Sequence, residues 1–244
     1  MTPALALDGV TKRFGGLQAV ADVTLRIAAG GITGLIGPNG AGKTTLFRII
    51  GGSMRPTAGR VLCGEREITG WSPHAICRLG VCVTHQIVRP FPDLTVLENV
   101  LVPAAFGSGG RLRQPPGVEA EEVLEFTGLA ARADAPASVL TLAERKRLEI
   151  ARALATRPTI LLLDEVLAGL NPTETERAVN LVRQIRGRGI TIVMIEHVMR
   201  AVMALSDRVL VLNHGRLIAD GVPSEVGNLP EVIEAYLGQP LGAG

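Results

Sequence analysis

Apolar residues recur along this chain at two spacings, and the change from one to the other predicts where strands give way to helices. Leu5 and Leu7 alternate with smaller residues, and Val23, Leu25 and Ile27 alternate with polar ones. Both stretches read as half-exposed strands, with Gly15-Gly16 as turn material between them. Ile32-Thr33-Gly34-Leu35-Ile36 reads as a short buried strand, and Leu46-Phe47-Arg48-Ile49-Ile50 as a helix. Arg60-Val61-Leu62-Cys63-Gly64 returns to strand and joins the early antiparallel layer. Ser72-Pro73 then opens a helix, Ser as N-cap and Pro at the first helical position. Val81-Cys82-Val83-Thr84-His85-Gln86 is a buried strand that ends in polar groups.

Over 89–140 strand-like runs vanish, 107–117 is Gly/Pro-rich loop, and 119–126 reads as a helix stopped by Gly128. Thr141-x-x-Glu144 is a capping box for a helix over 144–155, whose Arg145-Lys146-Arg147 run reads as a solvated face. Ile160-Leu161-Leu162-Leu163 is a strand buried on both faces, with Asp164-Glu165 at its tip. Pro172-Thr173 starts a helix that places Ala178, Leu181, Val182 and Ile185 on one face. The chain returns as a strand over 190–195 ending in Glu196-His197, then as a hairpin through Asn213-His214-Gly215, and Pro230 opens a terminal helix through Leu237. Strands alternating with helices predict an α/β fold with an antiparallel β layer and an inserted α-helical subdomain. The boundaries expected are 1–88 and 156–244 for the α/β core and 89–155 for the subdomain, within one domain of 244 residues.

Chemistry enters at the junction of the buried strand and the helix that follows it. Gly37-Pro38-Asn39-Gly40-Ala41-Gly42-Lys43-Thr44-Thr45 fits G-x-x-x-x-G-K-[ST], the phosphate-binding loop. Glycines let the backbone wrap a polyphosphate with successive N–H groups pointing inward, at a helix N-terminus whose dipole also favours anions. Lys43 supplies a point charge to the β- and γ-phosphates, and the Thr44 hydroxyl ligates Mg²⁺. A nucleoside triphosphate is therefore expected here. In that context the carboxylates at the later strand tip acquire roles, Asp164 as Mg²⁺ partner and Glu165 as general base for water. Gln86 and His197 also end strands, where parallel sheets carry functional groups. Phe14, just before a turn, is on its own residues equally an ordinary sheet residue.

Composition narrows the partners. A net charge of +2 is too small to argue for nucleic acid, and 3% aromatics counts against a base-stacking platform. Cys63, Cys77 and Cys82 are odd in number and form no C-x-x-C pair, so they are expected to be reduced thiols of a cytosolic protein, Cys82 buried. No apolar run is long enough to span a bilayer and no signal peptide is evident, so any membrane role is expected to come through partners.

Taken in order, Phe14, the 37–45 loop, Gln86, the helix after Leu140, Asp164-Glu165, Ala168-Gly169-Leu170-Asn171 and His197 resemble the ATP-binding cassette (ABC) ATPases nearly end to end. Arg13-Phe14-Gly15-Gly16-Leu17, Thr95-Val96-Leu97-Glu98-Asn99-Val100, Arg147-Leu148-Glu149-Ile150-Ala151-Arg152, Ala168-Gly169-Leu170-Asn171-Pro172 and Glu234-Ala235-Tyr236-Leu237-Gly238 are similar to the cassette subunits of branched-chain amino-acid importers. The resemblance implies a P-loop NTPase (RecA-like) core that binds ATP and Mg²⁺. It implies that Phe14 stacks on adenine, that Gln86 touches Mg²⁺ and the attacking water, that Glu165 polarises that water and that His197 contacts the γ-phosphate. It also implies partners: a second cassette, identical or different, packed head to tail; transmembrane permease subunits; and, indirectly, a solute-binding protein. The place implied is the cytoplasmic face of the cell membrane.

The family signature Leu-Ser-Gly-Gly-Gln aligns with Leu140-Thr141-Leu142-Ala143-Glu144. Thr141, Ala143 and Glu144 are then the residues that would meet a partner's nucleotide. Thr141 keeps the N-cap hydroxyl, but both glycines, which permit close approach of backbone to phosphate, are replaced. Val166 stands in place of the usual proline after Glu165, and Asn171 in place of the usual aspartate. The reading is an ATP-hydrolysing importer subunit, the alternative a regulatory cassette that binds ATP mainly to dimerise. A DNA- or ribosome-acting cassette would bring tandem cassettes or a long coiled coil, and a GTP switch an Asn-Lys-x-Asp reader; the chain has neither.

Overall fold

The early alternation belongs to an antiparallel pair, β1 (Leu5–Phe14) against β2 (Leu17–Ile27), with Leu5 opposite Ile27 and Leu7 opposite Leu25. The structure, a computed structural model, describes residues 2–84, 90–107, 109 and 114–237. After β2 the chain forms β3 (Ile32–Ile36), α1 (Lys43–Ile50), β4 (Ala58–Cys63) and β5 (Arg66–Glu67). There follow α2 (Pro73–Leu79), β6 (Val81–Val83), α3 (Val96–Gly107), α4 (Pro116–Phe126), α5 (Leu142–Leu154), β7 (Ile160–Asp164) and α6 (Pro172–Gly187). The chain ends through β8 (Thr191–Ile195), α7 (Met199–Leu205), β9 (Arg208–Asn213), β10 (Arg216–Gly221), α8 (Pro223–Val226) and α9 (Pro230–Leu237). These elements fall into two units, Met1–Trp71 with Thr191–Gly244, and Ser72–Ile190.

In the first unit the expected antiparallel layer is present, and its strands take the order β2-β1-β4-β5. Beside it β3 pairs in parallel with β8 on one side and β9 on the other, Ile32 facing Ile192 and Thr33 facing Arg208. All five β3 residues are buried, the state expected of a strand covered on both faces. The β9–β10 hairpin turns through His214 (φ 45°) and Gly215 (φ 77°), two consecutive left-handed residues that match the twist of the flanking strands. Ile36, Val202, Val209, Val211, Ala219, Val226 and Val232 form one buried cluster. Each of the larger side chains contributes about 1.5–3 kcal/mol on burial, so the cluster ties β3, α7, the hairpin, α8 and α9 together.

In the second unit β6 runs parallel to β7, Val81 facing Ile160, and every β7 residue is buried. Helices α3, α4 and α5 pack on one another. The inward face of α6 is the predicted set Ala178, Leu181, Val182 and Ile185, and the helix is started by Asn171 and Glu174 in a reciprocal capping box. Several sequence expectations are corrected in this unit. Cys82 is only half-buried. Ser72 has the extended backbone of an N-cap, but its hydroxyl lies 3.2 Å from His74 Nε2 and makes no capping bond. Helix α4 starts at Pro116 and α5 at Leu142, each earlier than their apolar spacing predicts. Helix α3 has no counterpart in the pattern reading, because Pro103 interrupts it and its apolar residues show no single stripe. Its local signal is Thr95-x-x-Glu98, which closes a capping box: Glu98 N–H donates to Thr95 Oγ1 at 3.1 Å, and Thr95 N–H to Glu98 Oε2 at 2.8 Å.

Candidate active site

In the first unit, residues 37–42 link β3 to α1, and the motif's last three residues, 43–45, open that helix. Three glycines there take left-handed backbone, Gly37 at φ 146°, Gly40 at 79° and Gly42 at 103°. A Cβ at Gly37 would lie 2.0 Å from the Leu212 carbonyl oxygen, and one at Gly42 2.3 Å from that of Ala19. Both contacts are with backbone, which cannot swing aside, so glycine is required twice over. Gly42 is the N-cap of α1, and among the described residues no side chain caps this end and no acidic residue lies in its first turn. Its orphan amides and dipole are thus directed at the loop's interior. Lys43 is buried, and its ammonium donates to the carbonyls of Gly37 at 2.7 Å and Pro38 at 3.0 Å. Asn39 and Gly40 are exposed, and Thr44 and Thr45 half-buried. Phe14 ends β1 with 47% of its surface exposed and the Lys12 ammonium 5.2 Å from the ring centroid. His197 is exposed just beyond β8, while its neighbour Glu196 is buried.

In the second unit the tip of β7 carries the carboxylate pair. Asp164 is buried, and its N–H donates to Thr84 Oγ1 at 3.1 Å. Glu165 adopts φ 51°, a left-handed conformation costly for a residue with a Cβ. Such a conformation costs about 1–3 kcal/mol and persists only where surroundings over-determine it. Here the Glu165 carbonyl accepts the Lys146 ammonium at 2.6 Å, and the chain re-enters the core at Val166 and Leu167. Lys146 is only 7% exposed, so the solvated-face reading of Arg145-Lys146-Arg147 is corrected: Arg145 alone is exposed, and Arg147 donates to the Gly128 carbonyl at 3.0 Å. The signal for Lys146 was present, since Ile150 and Ala153 follow it at i+4 and i+7 on the buried face of α5. Gln86 lies outside the described residues.

The N-terminus of α5 is closed by its own side chains. Glu144 N–H donates to Thr141 Oγ1 at 3.3 Å, Thr141 N–H to Glu144 Oε2 at 2.9 Å, and Arg132 Nε to Glu144 Oε1 at 3.0 Å. The Thr141 amide above all, with Arg132, holds the Glu144 carboxyl below its ordinary 4.5. Leu142 is 43% exposed, and its Cδ2 lies 3.0 Å from where a Gly169 Cβ would be; Ala143 is half-buried.

The donors fit hard-cation and phosphate chemistry. Thr44 offers a hydroxyl and Asp164 a carboxylate, and among the described residues no group of three His, Cys, Asp or Glu could hold a metal. Mg²⁺ keeps several waters and is bound by one or two protein ligands plus substrate phosphates, so no protein cage is needed.

The sequence profile of the ABC transporter family matches residues 20–168. The chain is 43% identical to the high-affinity branched-chain amino acid transport ATP-binding protein LivG of Salmonella typhimurium, over 97% of this chain and 98% of that protein. It is 40% identical to the corresponding protein BraF of Pseudomonas aeruginosa, again over 97% and 98%. Among solved structures it is similar to a nucleotide-free ATP-binding cassette from an ABC transporter, with TM-score 0.89 and 31% identity over 98% of this chain and 100% of that one. The ADP conformation of an ATP-binding cassette of an ABC transporter gives TM-score 0.87 at the same identity and coverage.

Proposed function

The chain belongs to the ABC transporter family, and from that premise we propose that it drives the import of branched-chain amino acids or related small molecules by hydrolysing ATP. The observation that carries this reading is the 37–45 loop, where a buried lysine rests on its own loop's carbonyls beside an uncapped helix N-terminus. ATP phosphates replace those carbonyls as partners of Lys43, and the first-turn amides of α1 take the phosphate oxygens. Phe14 offers its exposed ring to adenine. Glu165 accepts a proton from the attacking water, and His197 and Gln86 contact the γ-phosphate and the water. Thr44, Gln86 and Asp164 would hold Mg²⁺, which would supply positive charge against that developing on the phosphate oxygens. The functional division is an α/β core over 1–88 and 156–244 and a helical subdomain over 89–155.

The substrate follows from the names of the relatives at 40–43% identity. Among the described residues no helix is long and apolar enough to cross a membrane. On the transport systems for which its relatives are named, we place the chain at the cytoplasmic face of the membrane, attached through permease subunits, paired with a second cassette and fed by a solute-binding protein. A second reading, a regulatory cassette that binds ATP mainly to dimerise with a different partner cassette, is favoured by one observation, the self-capped α5 terminus with Glu144 in it, which weakens what this chain offers to its partner's nucleotide.

Nucleotide titrations test the site. Lys43→Ala removes a charge-assisted contact and should weaken MgATP binding by about ten- to a hundredfold. Phe14→Ala should weaken ATP and GTP by similar factors, because stacking tolerates any base. Undiminished affinity in Lys43→Ala contradicts the phosphate contact, and unchanged affinity for both nucleotides in Phe14→Ala removes the stacking role.

A further inference from the structure

Helix α9, the last helix among the described residues, reaches the phosphate loop. Val232 of α9 lies in the buried cluster that contains Ile36, the final residue of β3. One turn further on, the Tyr236 hydroxyl accepts the Gly37 N–H at 2.7 Å, across 199 positions of sequence. Helix α9 thus packs on one residue and bonds the next, at the point where the strand becomes the loop. The β3–β9 register ends at Ile36 opposite Val211, so the Gly37 amide lies beyond the last ladder pair. A buried N–H left without an acceptor is expensive, and Tyr236 supplies one.

The bond bears on the lysine as well. The Gly37 carbonyl is one of the two that hold the Lys43 ammonium, and the Leu212 carbonyl walls the other side of Gly37. Gly37 is therefore held at its amide by α9, at its carbonyl by Lys43 and at its α-carbon by β9. Burial raises the Tyr236 phenol above its ordinary 10, with the Gly37 bond pulling the other way. The hydroxyl is accordingly neutral at neutral pH.

We infer that Tyr236 is a positioning residue of the phosphate loop, which makes α9 part of the nucleotide site. It holds the loop in its wrapped form before nucleotide arrives, so less ordering remains to be done on binding. Its loss should therefore appear in affinity and leave the chemical step alone. The inference rests on the reading of 37–45 as the nucleotide phosphate site.

The test titrates the full chain with MgADP as wild type, Tyr236→Phe and Lys43→Ala, and measures ATPase KM and kcat in the complex with permease subunits. Tyr236→Phe should raise Kd and the KM for ATP by roughly three- to tenfold, the range of one net hydrogen bond, with kcat nearly unchanged. A purely structural contact would lower Tm and leave both constants in place. Kd and KM at wild-type values in Tyr236→Phe, with binding lost in Lys43→Ala, overturn the inference while leaving the loop assignment standing. Wild-type binding in Lys43→Ala overturns the loop assignment, and the inference with it. Amide exchange at Gly37 in the nucleotide-free wild type gives a reading independent of any variant. Protection supports the bond, and exchange at the rate of an open loop overturns it.

Discussion

Glu165→Gln should leave MgATP binding intact and lower turnover by about two to four orders of magnitude, the range for removal of a general base. The amide keeps the shape of the side chain and accepts no proton at working pH. The backbone that presents it is held independently of the side chain, because Lys146 grips the Glu165 carbonyl and Val166 and Leu167 anchor the next turn. The variant therefore separates chemistry from folding. The measurement is single-turnover phosphate release in the assembled complex beside equilibrium MgATP binding. Release at close to the wild-type rate would show that Glu165 is not the base.

Restoring the family signature should strengthen ATP-driven dimerisation of the isolated chain by roughly tenfold or more. Three features of the native α5 terminus act against a phosphate approaching from a partner. Leu142 and Ala143 carry Cβ atoms where glycine allows the backbone close. The Thr141 and Glu144 amides are already engaged by the capping box. The Glu144 carboxyl, held below its ordinary 4.5, is fully charged throughout the working pH range and repels an anion. Each obstacle costs on the order of 1 kcal/mol, and about 1.4 kcal/mol is a factor of ten. Thr141→Ser, Leu142→Gly, Ala143→Gly and Glu144→Gln together remove the first and the third; the capping box stays, because Ser and Gln form one as well. The two glycines cost the helix about 1 kcal/mol each, but that penalty falls on stability and is read separately as Tm. The comparison is made by sedimentation with ATP in a Glu165→Gln background. A tight homodimer of the native sequence that restoration does not improve would show that the terminus holds phosphate in another way. The expected result is a chain that works best beside a cassette with an intact signature.

What could be read in the sequence was local. The phosphate loop is a contiguous motif, and the strand before it, the helix after it and the left-handed glycines within it are as the local sequence reads. The α6 face, the β9–β10 hairpin and the antiparallel layer were likewise legible, because period and turn residues are properties of neighbouring positions. What escaped depends on distance along the chain or on mixed signals. Lys146 sits in a run of three cations that looks solvated, and only its register with Ile150 and Ala153 reveals burial. Helix α3 hid behind Pro103 and an apolar sequence with no stripe. Tyr236 meets Gly37 from 199 positions away, and no local pattern in α9 announces that contact.

The central claim is that ATP hydrolysis by this chain powers uptake, and one reconstitution tests it most directly. The chain is purified with the permease subunits that accompany it and placed in vesicles with their solute-binding protein. Uptake of labelled leucine, isoleucine and valine is then followed with MgATP on the side that carries the chain. The account predicts accumulation of at least one of the three with wild type and none above background with Glu165→Gln. Equal accumulation with both forms, or ATP hydrolysis by the wild type with no uptake of any branched-chain amino acid, would contradict it.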